Sequence, residues 1–225
     1  MTTKILALDG PAGSGKSSVS RAVAQSLGWA MLDTGAMYRA ITWAMLHARI
    51  DLNDPAAISQ QAASTTIRAT TDPMNFSISA NGHDVTSAIR SPEVTAAVSA
   101  VSAVPYVHEL LVKLQRAAVS ASGVGIVIEG RDIGTVVLPD SALKVFLTAS
   151  PEARARRRSL EVDPEADAKK IADTQQAILV RDAKDTGREH SPLKPAADSQ
   201  ILDTSDLTLD QVVDQLVQMA HQTYP

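Results

Sequence analysis

The chain has 225 residues, of which 44% are hydrophobic and 3% aromatic, and its formal net charge at pH 7 is -4. This size suits one α/β domain with insertions, and the core must be built mainly from Ala, Val, Ile and Leu. The lack of cysteine excludes disulfides and thiolate metal sites, and the net charge argues against a nucleic-acid partner. The apolar segment near the N-terminus has the pattern of neither a signal peptide nor a membrane span, so we expect a cytoplasmic protein with no membrane partner.

The first quarter of the chain alternates apolar strands with helices. Residues 5–9 predict a buried strand, residues 16–27 predict a helix, and residues 29–32 predict a second strand. We expect Thr34 to cap a helix that runs to about residue 48. A short helix should begin at Pro55.

The pattern changes from residue 65. Residues 66–70, 76–79 and 83–85 alternate like strands, and Asn81-Gly82 is a hairpin turn signal. These segments predict a small antiparallel sheet inserted between helices.

The rest of the chain returns to alternating strands and helices. The remaining predicted elements are helices at 92–103, 106–122, 151–160, 166–183 and 208–224, and strands at 125–129, 143–147 and 200–203. Because strands and helices alternate, we expect an α/β fold whose parallel sheet is covered by helices on both faces.

A glycine-rich motif follows the first predicted strand. Residues 10–17 match G-x-x-x-x-G-K-[ST] in full, with a helix after them. Such a loop points backbone N–H groups at phosphates, its lysine reaches the β- and γ-phosphates, and its last hydroxyl binds Mg²⁺. The alternative is a chance turn. We expect ATP to be bound by Gly10, Pro11, Ala12, Gly13, Ser14, Gly15, Lys16, Ser17 and Ser18, with Ser17 also on Mg²⁺.

Two further polar motifs follow predicted strands. They are residues 33–39 and residues 130–134, and open α/β sheets bind ligands at such strand ends. A guanine-reading N-K-x-D motif is absent, which argues against a GTPase switch. Either motif alone could be a capped turn with surface ion pairs, but their occurrence with the phosphate-binding loop favours a phosphate acceptor site.

Charged residues cluster in the last third of the chain. Four arginines lie between residues 154 and 158, where like charges repel unless an anion joins them. The alternative to an anion-binding role for these arginines is a solvated basic face. Three further charged residues, Arg181, Asp185 and Arg188, could simply form an i, i+4 ladder on a helix surface.

In order along nearly the whole chain, the sequence resembles bacterial cytidylate kinase. The run G-R-D-I-G-T-V-V at residues 130–137 is especially specific to that family. The matching segments are residues 10–17, 33–39, 90–94, 101–116, 130–137, 154–158, 181–185 and 192–196.

The resemblance implies one P-loop kinase unit over residues 1–225 that is monomeric and transfers a phosphoryl group from ATP to CMP or dCMP with Mg²⁺. It implies a monophosphate-binding region at 35–103, enlarged by the small sheet at about 65–103, and a helical lid with an adjoining substrate-contacting helix at 151–190. The alternatives are a P-loop kinase for another monophosphate or metabolite, and a nucleotide-binding regulatory protein without turnover.

The resemblance also implies residue roles. Lys16, Arg131, Arg154 and Arg158 would be catalytic, the last two as part of the lid. Arg39 and Arg131 would hold the CMP phosphate. The remaining CMP-binding residues would be Thr34, Asp132 and Arg188 at the base, Ser99, Arg181 and Asp185 at the pentose, and Tyr38 and His108. The family often has serine at the position of Thr34, which keeps the hydroxyl. It usually carries an arginine at the position of His108, so base recognition should differ there.

Overall fold

A computed structural model of the protein describes residues 3–188 and 191–225. Its main sheet has five parallel strands in the order β2, β6, β1, β7, β8. These are β1 (Ile5–Asp9), β2 (Ala30–Asp33), β6 (Ile126–Gly130), β7 (Leu143–Thr148) and β8 (Gln200–Asp203).

The strand register brings acidic side chains to one edge of this sheet. Asp33 pairs with Glu129, and Asp9 pairs with Gly130, the residue after Glu129. Three neighbouring strands therefore end side by side, each with a carboxylate at or next to its last position.

In the described part of the chain, eight α-helices surround the strands. They are α1 (Lys16–Leu27), α2 (Thr34–His47), α3 (Pro55–Ala63), α4 (Pro92–Ser102), α5 (Pro105–Ala121), α6 (Pro151–Val162), α7 (Ala168–Thr186) and α8 (Leu209–Thr223). Helices α1 and α8 cover one face of the sheet, where Val19, Val23 and Leu216 are buried. Helices α2 and α5 cover the other, with Ile41 and Leu111 in its core. Helices α6 and α7 pack against each other.

A second, smaller sheet has three antiparallel strands. They are β3 (Ile67–Ala69), β4 (Ile78–Ala80) and β5 (His83–Asp84), joined in that order. Ile67 and Ile78 are buried against the same core as α2. The predicted fold class, a helix-covered parallel sheet with a small antiparallel sheet, is confirmed.

Two local features differ from the expectations. Asp33, not Thr34, caps α2, because its carboxylate accepts from the Ala36 N–H at 2.8 Å. Thr34 is the first helical residue, and its hydroxyl donates instead to the Glu129 carbonyl at 2.6 Å. A π-helical turn at residues 133–137, called the π-turn below, also escaped sequence analysis.

Among the described residues, no single helix is long and apolar enough to cross a membrane. Helices α4 and α5, which are bent by 100° relative to each other, satisfy such a test of length and composition only as a pair.

Candidate active site

The phosphate-binding loop joins β1 to α1 at the carboxyl edge of the sheet. Gly13 and Gly15 have φ values of 75° and 86°, which L-residues rarely adopt, so only glycine fits without strain. At Gly10 a Cβ atom would lie 2.1 Å from the Leu147 carbonyl oxygen. The loop is thus fixed by backbone geometry, and the N-terminus of α1 points its unpaired N–H groups toward it.

Lys16 is buried at the base of this loop. Its ammonium group donates to the Pro11 carbonyl at 2.7 Å and lies 3.3 Å from the Ser14 hydroxyl. Burial and the positive charge of Arg131 lower the pKa of Lys16 well below its usual value, while Glu129 and Asp9 oppose that shift. Its charge therefore depends on nearby acids, and an anionic phosphate would favour it in the same way.

Glu129, which sequence analysis did not assign, lies beneath the loop. Burial and the neighbouring Asp33 carboxylate raise the pKa of Glu129 to about 8, and Lys16 and the Ser17 hydroxyl oppose this rise. Its Oε1 atom is buried without a hydrogen-bond partner in the part of the chain that the structure describes. Unpaired buried oxygens are rare, and a bound ion is one partner that can satisfy them. Carboxylate and hydroxyl oxygens are the ligands that Mg²⁺ prefers, so Ser17, Glu129 and Asp33 fit this ion.

Asp9 was also missed, although it ends the first strand directly before the loop. Its carboxylate accepts from the backbone N–H groups of Ile133 and Gly134, both at 2.8 Å. Burial raises the pKa of Asp9 to about 6 despite these bonds. Asp9 therefore ties the strand under the donor loop to the π-turn that follows Asp132.

An arginine cluster surrounds one buried carboxylate beside the loop. Asp185 on α7 accepts from Arg188 at 2.6 Å and from Arg131 at 3.2 Å, and Arg181 lies 4.0 Å away. Three cations share one anion here, which leaves an excess of positive charge. Burial and the charges of Arg131 and Arg39 lower the pKa of Arg181 to about 10. Its Nε is a buried donor without a partner among the described residues.

Arg39 on α2 extends this cluster. It donates to the Thr95 hydroxyl at 2.8 Å and to the Ile89 carbonyl at 3.2 Å. Burial, the charge of Arg158 and other nearby arginines lower its pKa, against the opposing charge of Asp33. The predicted phosphate-binding arginines 39 and 131 are therefore close enough to repel each other, which a dianionic phosphate would relieve.

Three of the residues predicted to bind CMP, Tyr38, His108 and Asp132, lie together. His108 Nδ1 is 2.6 Å from the Tyr38 hydroxyl, and its Nε2 is 2.8 Å from the Ser191 hydroxyl and 3.6 Å from Asp132. Burial raises the pKa of Asp132, although His108 opposes this. Asp132 Oδ2, the oxygen nearest to His108 Nε2, is buried and makes no hydrogen bond among the described residues. His108 is thus not a solvated surface residue.

Two of the basic residues of α6 have very different surroundings. Arg154 is buried, donates to the Ala12 carbonyl at 2.9 Å and the Ala149 carbonyl at 3.0 Å, and pairs with Asp182. The Asp182 carboxylate also accepts from the Ala12 N–H at 3.3 Å, so α7 is tied to the phosphate-binding loop. Arg158 pairs with Glu161 and faces Arg39.

The other two have separate positions. Arg157 binds Thr204 after β8, and Arg156 is exposed. Beside the arginine cluster, the Ser102 hydroxyl accepts from Arg188 at 3.2 Å, one turn beyond Ser99, the residue predicted to contact the pentose. The last two positions of the predicted 151–190 segment, residues 189 and 190, lie outside the described residues.

The fold and the site define a P-loop kinase, because a phosphate-binding loop and an arginine cluster lie together at the carboxyl edge of a parallel sheet. Solved structures from Thermus thermophilus and Eubacterium ventriosum share this fold at TM-scores of 0.52 and 0.51, with 15% and 10% identity. The first covers 100% of both chains, and the second covers 97% of this chain and 99% of its own.

Residues 6–222 match the sequence model of the cytidylate kinase family. A cytidylate kinase of Streptomyces avermitilis is 53% identical over 97% of this chain and 93% of its own. That of Pelotomaculum thermopropionicum is 50% identical over 94% and 93%. The chain belongs to the cytidylate kinase family, and it is a nucleoside monophosphate kinase with ATP as phosphoryl donor.

Proposed function

We propose that the chain transfers the γ-phosphoryl group of ATP to CMP and dCMP, giving ADP with CDP or dCDP, through the residues described above. The observation that carries this proposal is the arginine cluster. Arg131, Arg181 and Arg188 share the buried carboxylate of Asp185 next to a complete phosphate-binding loop, and Arg39 lies close enough for its charge to lower the pKa of Arg181. Such an excess of charge suits an acceptor that brings its own phosphate.

On the donor side, residues 10–18 hold the triphosphate. The backbone N–H groups of the loop and the Lys16 ammonium bind its oxygens, and Lys16 spreads the charge that develops as the phosphoryl group leaves. Ser17, Glu129 and Asp33 would hold Mg²⁺, which neutralises phosphate charge when bound.

On the acceptor side, Arg39 and Arg131 orient the CMP phosphate. One of its oxygens attacks the γ-phosphorus, the bond to the β,γ-bridging oxygen breaks, and ADP leaves with that electron pair. A phosphate monoester is mostly dianionic at pH 7, since its second pKa is about 6, so the attacking oxygen needs no general base. Positioning of the two substrates and neutralisation of their charge then account for the rate acceleration.

At the base, Asp132 accepts from the exocyclic amino group of cytosine, which uracil replaces with a carbonyl. Thr34 and Arg188 complete this recognition, and His108, which contacts Tyr38, lies beside Asp132. The buried Oδ2 of Asp132, which makes no hydrogen bond among the described residues, supports the assignment. A site with a buried acceptor that only the correct substrate satisfies rejects the analogue strongly.

At the sugar, Ser99, Arg181 and Asp185 contact the pentose. We expect CMP and dCMP to differ in kcat/KM by less than about a thousandfold, or roughly 4 kcal/mol.

The segment 151–190 acts as a lid that excludes water, which would otherwise hydrolyse ATP. Arg154 and Arg158 enter from this lid, and residues 35–103 form the monophosphate-binding region. We further propose that the enzyme works as a monomer in the cytoplasm.

Release of ADP with ATP, Mg²⁺ and each nucleoside monophosphate tests the proposal. We expect rapid turnover with CMP and dCMP and at least tenfold lower kcat/KM with UMP, AMP and GMP. Preference for another monophosphate would refute the cytosine assignment, and turnover with none of them would refute the proposed reaction.

A further inference from the structure

Arg116 lies outside the candidate active site, yet it is hydrogen-bonded to the turn that directly follows Asp132. This residue of α5 donates from Nε to the Val137 carbonyl at 2.8 Å and from Nη2 to the Val136 carbonyl at 2.9 Å. Both carbonyls belong to the π-turn at residues 133–137. A guanidinium that spans two adjacent carbonyls fixes orientation as well as distance, because its donors form a rigid fork.

The π-turn needs such support. Its backbone bonds run from Val136 N and Val137 N to the Asp132 carbonyl, at 2.8 and 3.2 Å, and from Leu138 N to the Ile133 carbonyl, at 2.7 Å. π-helical turns are rare and occur mostly as single turns, frequently at functional sites. Asp9 holds the first two N–H groups of this turn, and Arg116 holds its last two carbonyls. The two charged side chains thus clamp the turn at its opposite ends, each with the sign that suits the helix dipole.

Helix α5 also carries His108, eight residues before Arg116, or about 12 Å along the helix axis. His108 Nε2 lies 3.6 Å from Asp132. The same rigid helix therefore contacts Asp132 directly through one side chain and holds the following turn through another. Because both contacts originate on α5, the separation of His108 and Asp132 depends on how α5 sits against the π-turn.

We infer that Arg116 is a positioning residue for acceptor selectivity, which acts by fixing Asp132 and its backbone relative to His108 and the arginine cluster. This inference rests on the proposed role of Asp132 in reading cytosine. Arg116 itself is exposed on α5, so it contributes little to the core. Its removal should therefore affect the pocket more than the stability of the fold.

The test compares Arg116→Met and Arg116→Lys with the wild type, with Lys113→Met as a control that removes a charge from an exposed position of the same helix. We expect Arg116→Met to raise KM for CMP about tenfold, to lower the kcat/KM ratio of CMP to UMP several-fold, and to leave KM for ATP within twofold. Arg116→Lys, which keeps the charge without the fork, should fall between. Lys113→Met should match the wild type.

Unchanged KM and selectivity in folded Arg116→Met would overturn the inference. So would a uniform loss of kcat with both acceptors that follows the folded fraction in thermal melts, since a purely stabilising contact would act in that way. If Arg116→Met does not fold, the Arg116→Lys selectivity ratio decides by the same criteria. The Asp132→Ala variant, measured alongside, separates the two proposals. If it keeps full selectivity for CMP over UMP, both base recognition by Asp132 and the positioning role of Arg116 are refuted. If it loses that selectivity while the Arg116 variants keep theirs, only the positioning role of Arg116 is refuted.

Discussion

The phosphate-binding loop and the arginine cluster serve the same kind of ligand but are built in opposite ways. The loop is one continuous segment, and its glycines aim backbone N–H groups at the phosphates. The cluster gathers side chains from α2, from the end of β6 and from α7, and one buried carboxylate, Asp185, holds three of them. The donor site is therefore fixed by local backbone, whereas the acceptor site is complete only when α7 is docked.

This difference predicts how each side fails. Damage to the loop removes charge stabilisation for every acceptor, whereas damage to the cluster or the base-binding residues should change which acceptor is used. The following substitutions test that division.

The largest effect is expected at Lys16. Lys16→Ala should keep the fold and lower kcat by about a hundredfold or more with CMP and dCMP alike, since a preorganised charge at the transferring group contributes about 3 kcal/mol or more. Arg21→Ala, on the exposed side of the same helix, is the matched control. Steady-state ADP release measures both. Near-normal turnover in folded Lys16→Ala would refute the donor assignment.

Glu129, which lies between the donor and acceptor sites, is predicted to make the stability of the folded protein depend on pH. The pKa of Glu129 is raised from 4.5 to about 8 in the folded protein. Between these values the unfolded chain releases the proton and the folded chain keeps it, so stability contributed by Glu129 falls as the pH rises from 5 to 8. Glu129→Gln should remove that part of the slope, on the order of a few kcal/mol.

Urea denaturation of the ligand-free protein at pH 5 and pH 8 measures this slope. Glu109→Gln removes an exposed carboxylate of α5 and serves as the control. A wild-type slope in Glu129→Gln would mean that the Glu129 carboxyl is ionised throughout this range.

Substitutions of the basic residues of α6 distinguish a catalytic role in the lid from a basic face that is merely solvated. We expect Arg158→Ala to lower kcat by tenfold or more with little change in KM for CMP, because it meets charge that develops during transfer. Arg156→Ala should stay within twofold of the wild type, since that side chain is exposed. Equal damage from both substitutions would contradict the assigned helix face.

Asp132 tests the acceptor side alone. Asp132→Ala should lower kcat/KM for CMP at least tenfold, about 1.4 kcal/mol, and narrow the preference for CMP over UMP. The ATP side should be unaffected, so KM for ATP is the internal control. Full CMP activity in this variant would remove the basis for base recognition.

The contrast between a continuous loop and a cluster of distant side chains also explains which parts of the site could be predicted from sequence. The loop was readable because its residues are consecutive, and the five main strands were predicted within one residue because apolar runs mark them. Glu129 and Asp9 have a weaker sequence signal, a carboxylate at the end of a buried strand, and no role was predicted for either residue. The Asp182–Arg154 contact with Ala12 and the contacts of Asp9 and Arg116 with the π-turn join distant segments, so no local pattern could reveal them.

His108 should give the smallest effect and the sharpest test of the base-binding side, because it replaces an arginine that is usual in the family. A neutral imidazole offers one donor and one acceptor, and here its two nitrogens already face the Tyr38 and Ser191 hydroxyls. His108→Ala should therefore reduce kcat/KM for CMP less than Asp132→Ala does. His108→Arg should be tolerated and should lower KM for CMP, since a cation beside Asp132 can donate to the base as well. Kinetics with CMP and UMP measure both variants, and unchanged CMP kinetics in both would exclude His108 from substrate recognition and leave it a support for Tyr38.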